Sequence, residues 1–497
     1  MTRRILLRAG RPPHDATPNE AAIAWGSSGH FADNAGNMVF SDSVYETLRT
    51  PDTEIVCDAY VPERREVSQD EAGRVNEQYD AYVIPLANAI RYDFAIGPLV
   101  RLTQFVRQLT IPVVVVGIGG QGPIGGGVQR LGVAAGQNVR EFVAAVLERS
   151  ASLGARGEAT FAMLEELGFS EREIEVIGCP SLFRMGREFR IDKRVPRIET
   201  DTPIAINLES KLPEAAQLYG ENEARYSDLV TVMQTLPGAE LLLWGREMPP
   251  EYTRGTPTSI DDPAYREGRM RFFTNPRAWR EFLSEREFAF GTRIHGNIAA
   301  LTAGTPAFVL TTDLRTQELV DYHGIPGAEL GAAMSSGRFL AEDLYERAEF
   351  TGFNERMPEN WDRYHGFLEK NGLVHIHQQG NANPEFAELL ATGETAPPVT
   401  PISADDVTAI ATRLRWLWQN RDADKLRPVG SYAPEFELDR TNIRSPQTKI
   451  DWINGQLREL RDQQDELQRR LVEFEARDTT VRARIARALK RNPGGRR

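Results

Sequence analysis

The stretch Gly291 to Leu310, GTRIHGNIAALTAGTPAFVL, sets Arg293 and His295 one residue apart, after an apolar run and before an alanine-rich segment of helical spacing. Arginine offers a planar fork of donors for carboxylate or phosphate. Histidine, with an ordinary pKa of about 6.5, can hold or give a proton at neutral pH. If FAFG is a strand, both residues sit at its carboxyl end, where open α/β sheets bind ligands. A helix opening at Gly296 would add its unpaired N–H groups and positive dipole end to the same space. The chemistry that suits this pattern is anion binding with proton transfer, one residue gripping and its neighbour transferring. A histidine bonded to backbone beside an arginine in a salt bridge would produce the same spelling.

Two such residues need a sheet to hold them. Upstream, RRILLRAG, TEIVCDAY, YDAYVIPLAN, IPVVVVGIGG and IEVIGCPSL read as parallel strands covered on both faces. PLVRLTQFVRQL and VREFVAAVLERSASL carry helical spacing between them, and ATFAMLEELG ends in a glycine suited to a C-cap. That is a doubly wound sheet. The basic, irregular FRMGREFRIDKRVPRIETDTP then reads as a linker, or as a solvated loop, ahead of a second βα series. There TPIAINLES, AELLLWG, REFAFGTRIHG and TPAFVLTTD are expected as strands, and YSDLVTVMQTL, AWREFLSERE, GNIAALTAG and RTQELVDYHG as helices. From about Ala341 to Asn420 the pattern is mainly helical, broken by the QQGNANPE and ETAPPVTPIS turns. The expected organisation is α/β: two Rossmann-like lobes over 1–185 and 200–340, a helical extension over 341–430 packing back on them, and a terminal helix over 446–490.

That terminal helix differs in kind. Ile450, Ile453, Leu457, Leu460, Gln464, Leu467, Leu471, Phe474, Asp478, Val481, Ile485 and Ala488 alternate in steps of three and four, a heptad seam suited to a coiled coil and so to a homo-oligomer. One long helix lying on the body is the alternative. Past Thr480 every charged residue is basic, which suits either peripheral contact with an anionic membrane or a solvated tail.

With 497 residues and a formal charge of -12, the chain is long enough for two domains and lacks a global footprint for nucleic acid. Its two cysteines, Cys57 and Cys179, lie in or beside apolar runs, as reduced buried thiols in a cytoplasmic protein would. The apolar stretch near the start is too short for a signal h-region, and no apolar run reaches membrane-spanning length. The expected location is cytoplasmic, or peripheral at the inner face of the membrane.

Gly117, Gly119 and Gly122 satisfy GxGxxG after the IPVVVV strand, yet Pro123 and Gly125 to Gly127 prolong the loop where a dinucleotide site would open a helix. No acid-ended strand arrives at the required distance. The loop is better read as lining a cleft, or as a purely structural turn.

GTRIHGNIAALTAGTP, followed by TTDLRTQELVDYHGIP, resembles the signature of the polysaccharide pyruvyl transferase family. DNAGNMVF, YVIPLAN, PVVVVGIGGQG, ARGEATFAMLEELG and VIGCPSL follow the family's order upstream, so the resemblance covers roughly residues 1 to 375. It weakens at RPPHDATPNEAAIAWGSSGHFA, an apparent insertion before the DNAGN loop. The resemblance implies a GT-B-like pair of lobes and transfer of pyruvate from phosphoenolpyruvate to a sugar, which a lipid could carry, as a cyclic ketal, with no cofactor.

On the same ground His295 matches the catalytic acid, Arg293 the arginine gripping the donor, and Arg156 a second arginine for the donor. For Arg156 a salt bridge with Glu158 is the structural alternative. Asp33 or Asn34 could orient or deprotonate the acceptor hydroxyl, or merely cap a helix. Asn37, Gly119, Gly296, Asn297 and Arg315 complete the expected substrate-binding set, while Asp313 could simply cap the RTQELV helix. His323, His365, His375 and His377 read as scattered, and no metal site is expected. Two other functions share such an architecture: a glycosyltransferase or epimerase using a nucleotide sugar, and a catalytically silent scaffold for glycan assembly.

Overall fold

The computed structural model describes residues 2–24, 30–124, 131–253, 255–403 and 406–419. The chain divides into two compact units, Met1–Ile443 and Arg444–Arg497. The heptad seam, the basic tail and Gly125 to Gly127 lie outside the described residues, and both large sheets belong to the first unit.

The first half of that unit builds a four-stranded parallel sheet in the order β2-β1-β3-β4, from β1 (Arg3–Leu7), β2 (Thr53–Cys57), β3 (Ala81–Pro85) and β4 (Val113–Val116). Each strand is a short β-branched or apolar run; β3 and β4 are buried along their whole length, as parallel strands covered on both faces must be. The short pair β5 (Leu153–Ala155) and β6 (Ile174–Val176) continues past β4 through a bridge between Ile118 and Ala155. The helices of this half are α1 (Asn19–Ala24), α2 (Gly36–Leu48), α3 (Val61–Arg64), α4 (Gln69–Gln78), α5 (Tyr92–Ala95), α6 (Pro98–Gln108), α7 (Val133–Leu147) and α8 (Glu158–Glu166). A 3-10 helix, Pro180–Met185, leads out of it.

The second half builds a six-stranded parallel sheet in the order β12-β11-β10-β7-β8-β9. Its strands are β7 (Ile204–Asn207), β8 (Leu229–Met233), β9 (Met270–Phe272), β10 (Phe288–Gly291), β11 (Ala307–Thr311) and β12 (Gly327–Glu329). Around them run α9 (Ala215–Arg225), α10 (Leu236–Trp244), α11 (Pro263–Arg266), α12 (Pro276–Ser284), α13 (Ile294–Thr302), α14 (Leu314–His323) and α15 (Leu330–Ser336). The remaining helices are α16 (Ala341–Arg347), α17 (Thr351–Lys370), α18 (Pro384–Thr392) and α19 (Val407–Gln419). The fold is thus mixed α/β on parallel sheets.

Two elements are exchanged relative to the sequence reading. YSDLVTVMQTL holds strand β8 and AELLLWG lies in helix α10. Every residue of β8 is buried, so no polar face marks its alternation, and Leu229, Val232, Met233 and Leu236 imitate helical spacing. α10 is buried nearly all round, so it reads as a short apolar strand; its real signals are Pro237 in the first turn and Gly245, left-handed at φ 67, at its C-cap. A smaller correction concerns α13, which begins at Ile294 with Arg293 as N-cap, so Gly296 lies inside the first turn.

The halves are tied together beside the RxH stretch. The Ala35 N–H donates to the Gln234 carbonyl at 2.9 Å, the Leu236 N–H donates to the Asp33 carbonyl at 3.1 Å, and Asn34 bridges Thr235. The basic linker is pinned: Arg194 donates to the carbonyls of Gly304 (2.6 Å) and Ser284 (2.8 Å), and Ile191 and Ile198 are buried. α17 reaches the linker through Asn354 on Ile191, the second half through Asn360 on the Tyr322 carbonyl, and the first half through Asn371, just beyond its end, on Ser152. Among the described residues no helix is long and apolar enough to cross a membrane.

Candidate functional site

β10 ends at Gly291 and the chain turns directly into α13, which puts Arg293 and His295 at the carboxyl edge of the sheet. The turn is held by Asn207 at the end of neighbouring β7. Its Oδ1 accepts the Arg293 N–H at 2.9 Å, and its amide exchanges hydrogen bonds with Asn297 at 3.2 and 3.3 Å. Asn297 is fully buried and also donates to the Gly291 and Arg293 carbonyls, so it braces the turn. Gly296 leaves no room for a side chain: a Cβ there would fall 2.6 Å from Gln234 Nε2. Arg293 pairs with Glu209 at 2.9 Å and donates to the Leu208 carbonyl at 3.2 Å.

The imidazole of His295 is 9% exposed and packs beneath the first turn of α2, where a Cβ on Gly36 would lie 2.9 Å from its Nδ1. Its Nε2 is buried without a hydrogen-bond partner. Burial first, then the Arg156 and Arg315 guanidinium groups, hold its pKa well below the ordinary 6.5, so it is neutral at physiological pH. The ligand space expected at this carboxyl edge is closed at His295, because the start of α2 covers it.

Arg156 follows β5 and is completely buried, with none of its three guanidinium nitrogens hydrogen-bonded. It makes no salt bridge with Glu158; Glu318 acts on it electrostatically, but that carboxylate accepts from Thr160 at 2.8 and 2.9 Å. Burial lowers the Arg156 pKa, and burial lifts that of Glu318 to about 7. Gly119 creates the space for this arginine, since a Cβ there would sit 2.3 Å from Arg156 Cδ and 2.6 Å from the Ala87 carbonyl. The phenyl ring of Phe40 lies 6.0 Å from the guanidinium carbon and 6.2 Å from the His295 ring, joining the two. The glycine loop also reaches α14, where the Leu314 N–H donates to the Gly122 carbonyl at 2.9 Å. Gly122 to Ile124 form bends and a turn, the residues after them lie outside the described ones, and the next described helix, α7, begins at Val133.

Arg315 pairs with Asp313 at 3.3 Å and keeps its Nε unpartnered. Asp313 forms a capping box with Thr316 and so starts α14. Asn34 accepts the Gly36 N–H at 2.9 Å, Asn37 donates to the Phe31 and Ala32 carbonyls, and Asp33 is exposed in a left-handed conformation at φ 67. Neither Asp33 nor Asn34 is the N-cap of α2, a place taken by Ala35. His295, Arg156 and Arg315 therefore converge, Arg293 flanks them through its bond to Glu209, and the loop asparagines hold the cover.

Asn207, Gln234 and Phe40 were missed in the sequence. Asn207 carried a signal, a polar residue closing the apolar strand IAIN; Gln234 and Phe40 carried none. His365, His375 and His377 are not scattered, because their rings gather with centroids 4.7 to 6.1 Å apart; His365 bonds the Trp361 carbonyl at 2.7 Å and His375 meets Glu369 at 3.3 Å. Among the described residues no His, Cys, Asp and Glu group is arranged to hold a metal ion. His323 is structural, its Nε2 accepting the Cys179 N–H at 2.8 Å.

The model of the family described as polysaccharide pyruvyl transferase matches residues 34–313. No curated protein matches. Among solved structures, the UDP-GlcNAc 2-epimerase of Methanocaldococcus jannaschii in complex with UDP-GlcNAc and UDP is similar at 11% identity and TM-score 0.39, over 74% of this chain and 99% of that one. The Neisseria meningitidis UDP-GlcNAc 2-epimerase bound to UDP-GlcNAc gives 11% and 0.39, over 74% and 100%. Likeness at that level bears on neither site nor reaction.

Proposed function

The chain belongs to the polysaccharide pyruvyl transferase family, and on that premise we propose that it moves pyruvate from phosphoenolpyruvate onto a sugar of a cell-surface polysaccharide or its precursor, forming a cyclic ketal between GT-B-like lobes. The observation that carries the reading is Arg156: a fully buried guanidinium with no hydrogen-bond partner, beside a histidine whose Nε2 is equally unpartnered. A buried charge left uncompensated costs several kcal/mol, about the penalty of breaking a buried pair, and such a cost persists where a ligand anion completes the site. A donor carrying both phosphate and carboxylate supplies two anions to Arg156 and Arg315, with Arg293 exchanging Glu209 for the ligand.

His295 is neutral in the free protein. A bound multianion reverses the balance, because its negative charge favours the imidazolium that burial and the two arginines disfavour. The imidazolium gives its proton to the methylene carbon of phosphoenolpyruvate, which becomes the methyl group and leaves C2 electrophilic. One sugar hydroxyl adds to C2 and loses its proton, returning His295 to its starting state through solvent. The second hydroxyl then attacks C2 and the C2–O bond to phosphate breaks, the second proton leaving with the phosphate. Asp33, exposed on the covering loop, is the residue to orient or deprotonate the acceptor. Entry of the donor requires that loop to part from the β8–α10 connection, which costs the two backbone hydrogen bonds of Ala35 and Leu236.

The test is phosphate release from phosphoenolpyruvate over a panel of lipid-linked and nucleotide-linked sugars, with mass analysis of the acceptor. A mass gain of one pyruvate less one water, equimolar with phosphate, is expected for one acceptor. Release of a nucleoside diphosphate, or epimerisation without phosphate release, would overturn the reading.

A further inference from the structure

A cavity of about 310 Å³ lies in the first unit, and Arg156, Arg293 and His295 do not line it. Asp42 and Glu46 of α2, Arg277 and Arg280 of α12, and Arg184 of the 3-10 helix line one part of it, and residues 387–395, in and just after α18, line another, with Leu389 and Leu390 apolar and Glu394 acidic. Its lining joins residues inside the matched region, such as Asp42 and Arg280, to Pro13 and the 387–395 segment, which lie outside it.

Its cations are unequally engaged. Arg184 is paired with Glu46, its Nε 3.1 Å from the carboxylate. Arg277 meets Glu281 at 3.3 Å and donates to the Gly393 carbonyl. Asp42 is taken by Arg11 at 3.3 Å. Arg280 alone among these has no hydrogen bond or ion pair; it is partly buried and lies within electrostatic reach of Glu46, Asp42 and Glu281. Burial, with Arg184 second, lowers its pKa to about 10, which still leaves it charged at neutral pH. The cavity thus offers one guanidinium fork without a hydrogen bond together with the aliphatic surface of Leu389 and Leu390, at the lower end of the size range of small-molecule sites.

We propose that this cavity is a second ligand site, which takes a small molecule bearing a phosphate or carboxylate against Arg280 and an uncharged body against Leu389 and Leu390. The proposal does not depend on the transferase reading, since it shares no residue with that site.

The experiment is hydrogen–deuterium exchange on the full chain in a phosphate-free buffer, titrated separately with inorganic phosphate and with acetate. At least one anion is expected to protect peptides from 276–284 and 386–395. Whichever does so identifies the head group. Arg280→Ala should weaken that protection about tenfold or more in apparent affinity, as losing a charged hydrogen bond does, while His295→Ala leaves it unchanged. Leu389→Asp, on a half-exposed position that does not endanger folding, should weaken it as well by placing a like charge opposite the anion. No protection by either anion, protection confined to 293–302, or equal protection in Arg280→Ala, would overturn the proposal.

Discussion

Two buried charged clusters stand at strand ends in the N-terminal half, and they are finished differently. At the ends of β1 to β3, Arg8 donates to Glu63 at 3.0 Å and to the Pro85 carbonyl at 2.8 Å, while Asp58 accepts from the Tyr82 hydroxyl at 2.7 Å and the Tyr60 N–H at 2.8 Å. At the end of β5, Arg156 is more deeply buried than Arg8, completely so, and bonds nothing. The histidines repeat the contrast: His323 has its Nε2 satisfied by Cys179, and His295 does not. Burial alone therefore does not separate framework from site. Arg8, Asp58 and His323 are closed on protein partners, whereas Arg156 leaves all three of its guanidinium nitrogens unengaged and His295 its Nε2.

The largest expected effect tests the incomplete side by turnover. His295→Ala should lower kcat by about 10² to 10⁴, the usual contribution of a positioned general acid, with little change in melting temperature. Retention of more than about a tenth of the activity would remove His295 from that role.

Stability should then split the two arginines in opposite directions. Arg8→Met strands Glu63 in a nearly closed environment and should cost about 3–5 kcal/mol in chemical denaturation. Arg156→Met removes a charge that has no partner to strand, so stability should hold or rise, while the stabilisation by saturating phosphoenolpyruvate, about 2.7 kcal/mol at a hundred times its dissociation constant, disappears. Equal destabilisation by the two substitutions would erase the distinction between them.

The third test uses pH. Glu318 sits beside Arg156, 4% exposed, and burial lifts its pKa from an ordinary 4.5 to about 7. A carboxyl raised in the folded state favours folding while both states are protonated, and that contribution is lost as pH climbs from about 4.5 through about 7. Relative to Glu318→Gln, which has no charge to bury, the wild type should lose on the order of 3 kcal/mol across that window. A constant difference would mean that Arg156 compensates the carboxylate fully, and so is not free.

How much of this was legible differs by residue. The RxH pair could be read because its position follows from a strand ending and a helix beginning, both written locally, and a family signature surrounds it. The parallel strands of the first half could be read because an apolar run between turn signals has few other uses there. The β8 and α10 exchange could not be resolved by periodicity, since burial on all sides erases the polar phase that separates the two periods. The emptiness around Arg156 is a statement about groups brought in from distant segments, and local spelling does not contain it. The same holds for the cover over His295, and for Arg280, which looks like any basic residue on an amphipathic helix.

The smallest effects come from two glycines that carry the same substitution to opposite ends. Gly73 lies within α4 with nothing within 4 Å of where a Cβ would stand, so Gly73→Ala should stabilise by about 0.5–1 kcal/mol through helix propensity and a stiffer unfolded chain. Gly36 opens α2, and there the added carbon would come 2.8 Å from His295 Cβ and 3.1 Å from Asn34 Oδ1. Neither neighbour can yield easily, because His295 is fixed by the first turn of α13 and Asn34 is held by the loop that bridges Thr235. Gly36→Ala should therefore cost about 1–3 kcal/mol by overpacking, against the gain the same change brings in α4. It should also lower turnover, because relief of the contact displaces either the imidazole or its cover, whereas Gly73→Ala leaves turnover unchanged. If Gly36→Ala proved stabilising with full activity, α2 would have to stand farther from His295 than it does here, and the sealed state of the histidine would not be the resting one.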